Sequence, residues 1–105
     1  MNQPLFPQNI GKKGRVVEAG KTRPFLILDE VMRPESDNPG KVIYLQHIKF
    51  EDNQKIVFRL AYYIIGKLPK MKGKWVFGQY ATMMPAEDLT YLFDQAMIRG
   101  WITKA

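Results

Sequence analysis

Cysteine is absent from this chain, which excludes a disulfide framework, a thiolate metal site and a cysteine nucleophile together. Histidine is nearly absent: His47 stands alone, so the paired imidazoles of a conventional zinc site cannot form. Long apolar runs are missing as well. The longest, Leu60 to Ile65, is strand length and far short of the roughly 18 residues that a membrane span needs. Met1 to Asn9 has no basic stretch followed by an apolar one, so it does not read as a secretory leader. These absences point to a cytoplasmic protein with no cofactor, no metal and no membrane partner. At 105 residues with 46% hydrophobic side chains, the chain has material for one core that needs no covalent staple.

Catalytic patterns are also wanting, and the sequence predicts a protein that is not an enzyme. The acidic pairs Asp29-Glu30 and Glu51-Asp52 are adjacent in sequence, and adjacent residues on a strand point to opposite faces, so they make poor acid-base pairs. Asp29, Glu35 and Asp37 lack the spacing of a calcium loop. Gly66 and Gly73 bracket a basic segment without the Gly-Lys-Ser/Thr ending and helix of a phosphate loop. His47 falls on an apolar strand face beside Phe58 and reads as a hydrogen-bonded structural imidazole.

What is present is strand pattern, then a helix. Residues 1–10, with two prolines and several Asn and Gln, read as a flexible lead-in, and residues 11–105 as a single compact domain. Strands are predicted over Arg15 to Ala19, Phe25 to Met32, Lys41 to Phe50, Lys55 to Ile65 and Lys74 to Thr82. Turns are expected at Gly20 to Pro24, Arg33 to Gly40 and Glu51 to Gln54. Pairing Phe50 with Lys55 sets His47 opposite Phe58, Leu45 opposite Leu60 and Ile43 opposite Tyr62. Pairing Ile65 with Lys74 then adds Trp75 and Phe77 to that apolar face, and Val76, Gly78 and Tyr80 to the other. Pro85, Glu87-Asp88 and the stripe Leu89, Leu92, Phe93, Ala96 and Met97 predict a helix that ends at Gly100. The fold class is therefore α+β: a twisted antiparallel sheet of about five strands, flat or curled toward an open barrel, with one C-terminal helix packed on one face.

Sixteen Lys and Arg against ten Asp and Glu give a formal charge of +6 and a pI near 9.7. The excess gathers at Lys12, Lys13 and Arg15 and at Lys67, Lys70, Lys72 and Lys74, the latter in one loop between aromatic strands. On the sheet face away from the helix, the alternation places Tyr44, Gln46, Arg59, Tyr63 and Tyr80. Rings on which bases stack, beside lysines that hold phosphates, are the combination that binds single-stranded nucleic acid. The order of several antiparallel strands and then a helix is similar to that of single-stranded nucleic-acid binders of the Whirly and transcriptional-coactivator type, a resemblance of element order from which no site residues follow. The expected function is thus nucleic-acid binding, single-stranded DNA or RNA favoured, by the lysine loop and the aromatic face. The alternative is a homo-oligomeric interaction module, such as a homodimer, that uses the same face as its interface.

Overall fold

In chain order the elements are β1 (Lys13–Glu18), β2 (Lys21–Glu35), β3 (Asn38–Phe50), β4 (Ile56–Ile65), β5 (Trp75–Phe77) and α1 (Ala86–Ile98). The computed structural model describes residues 5–67, 70–78 and 81–103. The strands pair antiparallel in the order β1-β2-β3-β4-β5 to make one sheet curled into a half-barrel, and α1 packs on one of its faces. No helix among the described residues is long and apolar enough to cross a membrane.

The central hairpin has the predicted register. Ile43 lies opposite Tyr62, Leu45 opposite Leu60 and His47 opposite Phe58. The short connection between the strands, Glu51 to Gln54, fixes this alignment from the turn outward. The edge hairpins are longer than expected. Ala19 and Gly20, both at positive φ, close a two-residue turn from which β2 starts at Lys21 and continues through Pro24. The loop expected over Arg33 to Gly40 contracts to a tip at Ser36-Asp37, because the helix holds that tip. Asp88, in the first turn of α1, accepts from Ser36 N at 3.0 Å and Ser36 Oγ at 2.6 Å, and lies 2.7 Å from Arg33 Nε.

A register shift in β2 between Ile27 and Asp29 changes which parity faces which way. Before it, Phe25 and Ile27 join Ile48 and Phe50 on the face away from the helix. After it, Val31 meets Ile43, Leu45, Leu92 and Ala96 under the helix. Trp101, brought back by Gly100 at positive φ and by a bond from its own N to Ala96 O, closes this cluster. His47 forms a group of three rings with Phe58 and Trp101, stacked on the first at 5.4 Å and tilted against the second at 5.1 Å, with Phe58 and Trp101 themselves 6.3 Å apart.

The last strand corrects the sequence reading. Ile65 pairs with Trp75, not Lys74, and Tyr63 with Phe77. One residue of slip moves Trp75 and Phe77 to the face away from the helix and puts Val76 and Gly78 on the helix face. There the Tyr62 ring lies directly over Gly78, so closely that a Cβ would overlap it. Gly78→Ala is therefore expected to push Tyr62 aside and cost about 1.5 kcal/mol, read as a lower denaturant midpoint at unchanged m-value.

Candidate nucleic-acid interface

The face away from the helix is covered along its middle by the chain's own lead-in. Phe6 packs at 5.5 Å on Trp75, and Pro7 O accepts from Tyr44 Oη at 2.7 Å. Asn9 donates to the Glu30 carboxylate through N at 2.9 Å and through Nδ2 at 3.2 Å. Glu30 also accepts from Gln46 Nε2 at 2.9 Å, so a buried carboxylate is held by amide donors. Residues 5–10, read from composition as a flexible lead-in, are thus anchored on the sheet by a polar centre that composition does not display. The sequence signal was the Asp29-Glu30 pair itself, two adjacent charges within an apolar strand, of which alternation must turn one to each face.

This arrangement divides the expected aromatic surface. Tyr44 and Gln46 are fully buried, and neither offers a surface to a base. Burial, reinforced by the Glu30 charge, pushes the Tyr44 phenol well above its ordinary value, as befits a hydroxyl that donates inside the protein. Tyr63 is half-buried, edge-on to Tyr44 at 5.4 Å, with its hydroxyl on Asn9 Oδ1 at 3.2 Å. Tyr80 lies outside the described residues. The ring that is presented was assigned by the sequence to the wrong face: Phe77, 42% exposed, stands edge-on to Tyr63 at 5.4 Å.

Arg59 joins this group. Its guanidinium lies 5.4 Å from the Phe77 centroid and 4.9 Å from that of Phe25, and its Nε donates to Gln46 Oε1 at 2.9 Å. Burial lowers its pKa from the ordinary value, against the favourable charges of Tyr63 and Glu30. The terminal nitrogens donate to no described residue. A partly desolvated guanidinium with its fork of donors open is a strong anchor for an oxyanion.

The basic residues are sorted by their neighbours. Six carboxylates are spent on internal pairs: Glu18 and Asp52 on Arg23, Asp29 on Arg99, Glu35 on Lys41, Glu51 on Lys13 and Asp88 on Arg33. Lys67, Lys70, Lys72 and Lys74 are exposed and make no ion pair among the described residues. Their loop is folded: Gly66 bridges Lys72, and Gly66 N bonds Lys74 O at 2.8 Å. It overhangs a cleft of about 590 Å³ lined by Asn38, Gly40, Ile64, Lys67, Met71 and Val76 among others.

The two basic clusters do not meet. Lys12, Lys13 and Arg15 lie at the β3–β4 turn end of the sheet, where Lys13 pairs with Glu51, and the lysine loop lies at the far end of β4. Arg59 links them, since it lines a second cleft together with Arg15, Phe25 and Phe50, and stands about 20 Å from Ile65 along the strand at roughly 3.3 Å per residue. A cationic track results, running from the lysine loop past Phe77 to Arg59, with Arg15 at the rim of the second cleft and directed to the other face of β1 by the pairing of Gly14 with Phe25. Comparison with known proteins leaves this surface to be read from its own residues: no family model matches the chain, and no curated protein or solved structure is significantly similar to it.

Proposed function

We propose that this protein binds single-stranded nucleic acid along the β4–β5 margin of the sheet, as a binding protein and not as a catalyst. Lys67, Lys70, Lys72 and Lys74 take phosphates, Phe77 takes a base on its exposed side, and Arg59 binds a phosphate or stacks on the next base. Tyr63 backs Phe77, and Arg15 and Lys12 extend the track at its far end. Lys13, already paired with Glu51, has a lesser part, and Tyr44 and Gln46 support the site from inside. The observation that carries this reading is the distribution of charge: six of the ten acids are paired elsewhere, and lysines with no ion pair among the described residues flank an exposed ring and a guanidinium whose terminal nitrogens meet no described acceptor. An uncompensated cationic row of this kind attracts a polyanion, and the ring makes a flexible, unstacked strand a better ligand than a duplex.

Fluorescence anisotropy with short single-stranded and duplex oligonucleotides across a salt titration tests the proposal. Single strands are expected to bind more tightly, with a log-log salt slope near −3.5 if about five cations engage phosphates at roughly −0.7 each. Phe77→Ala is expected to weaken single-strand binding about tenfold, consistent with about 1 to 3 kcal/mol per stacked base, and to leave the salt slope unchanged. No binding at about 50 mM salt, where phosphate contacts are strongest, rejects the proposal.

A further inference from the structure

Among the described residues, half of β4 has a bare backbone edge. β5 covers only Tyr63, Ile64 and Ile65, with one further bond from Gly78 N to Tyr62 O at 2.8 Å. Outward bonding in an antiparallel strand falls on alternate residues, so the parity that Tyr62 and Gly66 show toward β5 continues through Leu60, Phe58 and Ile56. Their N–H and C=O groups point away from β3 and meet no partner among the described residues. The described chain after β5 does not return to cover them, because Met83 O accepts from Lys41 Nζ at 2.8 Å at the opposite end of β4.

The same three residues leave their side chains open on the helix face, Ile56 and Leu60 42% exposed and Phe58 40%. The helix packs over β2 and β3, with Tyr91 and Arg99 on its β2 side against Arg33 and Asp29, so helical spacing leaves Phe93 and Met97, similarly exposed, on its other flank. The other edge of the sheet, β1, carries Lys13, Arg15 and Glu18, charges of the sort that discourage pairing. Between Ile56 and Leu60 the only charge is Arg59, whose side chain goes to the opposite face.

We propose that this edge pairs with the same edge of a second copy of the chain, antiparallel about a two-fold axis, so that two five-stranded sheets become one. The segment is self-complementary: Phe58 falls opposite Phe58 of the second copy and Ile56 opposite its Leu60, each pair exchanging two backbone hydrogen bonds. Five large apolar side chains per copy, each about two-fifths exposed, supply roughly 400 Å² of apolar area at about 200 Å² per whole side chain. With the paired backbones added, that is an interface below the roughly 800 Å² per partner of standard size, one that forms at micromolar concentrations and above. Charge favours a second copy in this arrangement. The antiparallel pairing sends the lysine loops to opposite ends, about 50 Å apart at roughly 3.3 Å per residue, far beyond the screening length of about 8 to 10 Å. This inference stands independently of the ligand.

Light scattering on the full chain from about 5 to 200 μM is expected to give twice the 12.2 kDa chain mass at the upper concentrations. Leu60→Lys, placed where the side chain is already exposed, is expected to weaken the dimer at least tenfold without changing the thermal unfolding of the monomer. Because the chain has no cysteine, single substitutions report geometry directly. Phe58→Cys puts two thiols on Cα atoms about 5.5 Å apart and is expected to oxidise to a linked dimer, and Ile98→Cys, exposed on the helix, is not. A chain that stays monomeric at every concentration overturns the proposal. So does a dimer that is indifferent to Leu60→Lys and cross-links equally through either cysteine. Should Leu60→Lys fail to fold, the cysteine pair decides.

Discussion

Replacing Lys67, Lys70, Lys72 and Lys74 together by glutamine is expected to weaken single-strand binding about 100-fold at low salt, and to reduce the salt slope by about 0.7 for each phosphate that is no longer neutralised. The size follows from the independence of the four side chains. Each is exposed and none is in an ion pair among the described residues, so no folded interaction is surrendered with the charge. A loss of about 0.7 kcal/mol per lysine, or about 3 kcal/mol in all, is the expected scale for solvent-exposed ammonium groups on phosphates. The formal charge falls from +6 to +2, that is 6 minus 4, and the melting temperature should stay nearly constant. What remains is the Arg59 anchor, the Phe77 stack and the Arg15 and Lys12 end, so residual binding should be weak and only shallowly dependent on salt. Undiminished affinity in this variant would remove the loop from the site and leave the Arg59 end of the track as the point of attachment.

The central hairpin was legible because its connection, Glu51 to Gln54, is short and made of turn-forming residues, and one pairing at the turn then sorts every residue along both strands. The β4–β5 pairing offered no such constraint. Trp75, Val76 and Phe77 are all apolar, so either register buries acceptable residues, and an eight-residue loop does not choose between them. The choice was settled by packing that no local pattern contains, Phe6 against Trp75 on one face and Tyr62 over Gly78 on the other. The tyrosine surface failed for a related reason. Alternation places Tyr44, Gln46 and Tyr63 on one face correctly, but whether that face is open depends on residues more than 30 positions away. Asn9 is a turn-former by composition and a structural ligand of Glu30 in fact.

Asp88→Ala is the substitution expected to cost the fold most, about 3 kcal/mol at neutral pH and hence roughly 15 °C in melting temperature for a domain of this size. The carboxylate is completely buried, and burial alone would raise its pKa. The Ser36 hydroxyl and amide bonds, and then Arg33, more than reverse that, so the folded pKa lies below the ordinary carboxylate value. A folded pKa below the unfolded one means that the group stabilises fully above the unfolded value, near 4, and ceases to do so as pH falls through the folded value. The difference in stability between the native protein and Asp88→Ala should accordingly be constant from neutral pH down to about 4 and shrink below it. Asp88→Asn separates the components, because the amide oxygen can still accept from Ser36 but leaves Arg33 without its counter-charge. It should cost about half as much at neutral pH, and its cost should fall below pH about 4 by the same amount as that of Asp88→Ala, because the titrating group belongs to the native protein and to neither variant. The physical consequence is specific to this architecture: α1 reaches the sheet through Leu92, Ala96 and this one carboxylate, and the β2–β3 tip is shaped by the same group. Urea titrations at pH 7 and pH 3 on the three proteins check the scheme, and a cost for Asp88→Ala below about 1 kcal/mol at pH 7 would mean that hydrophobic docking alone seats the helix.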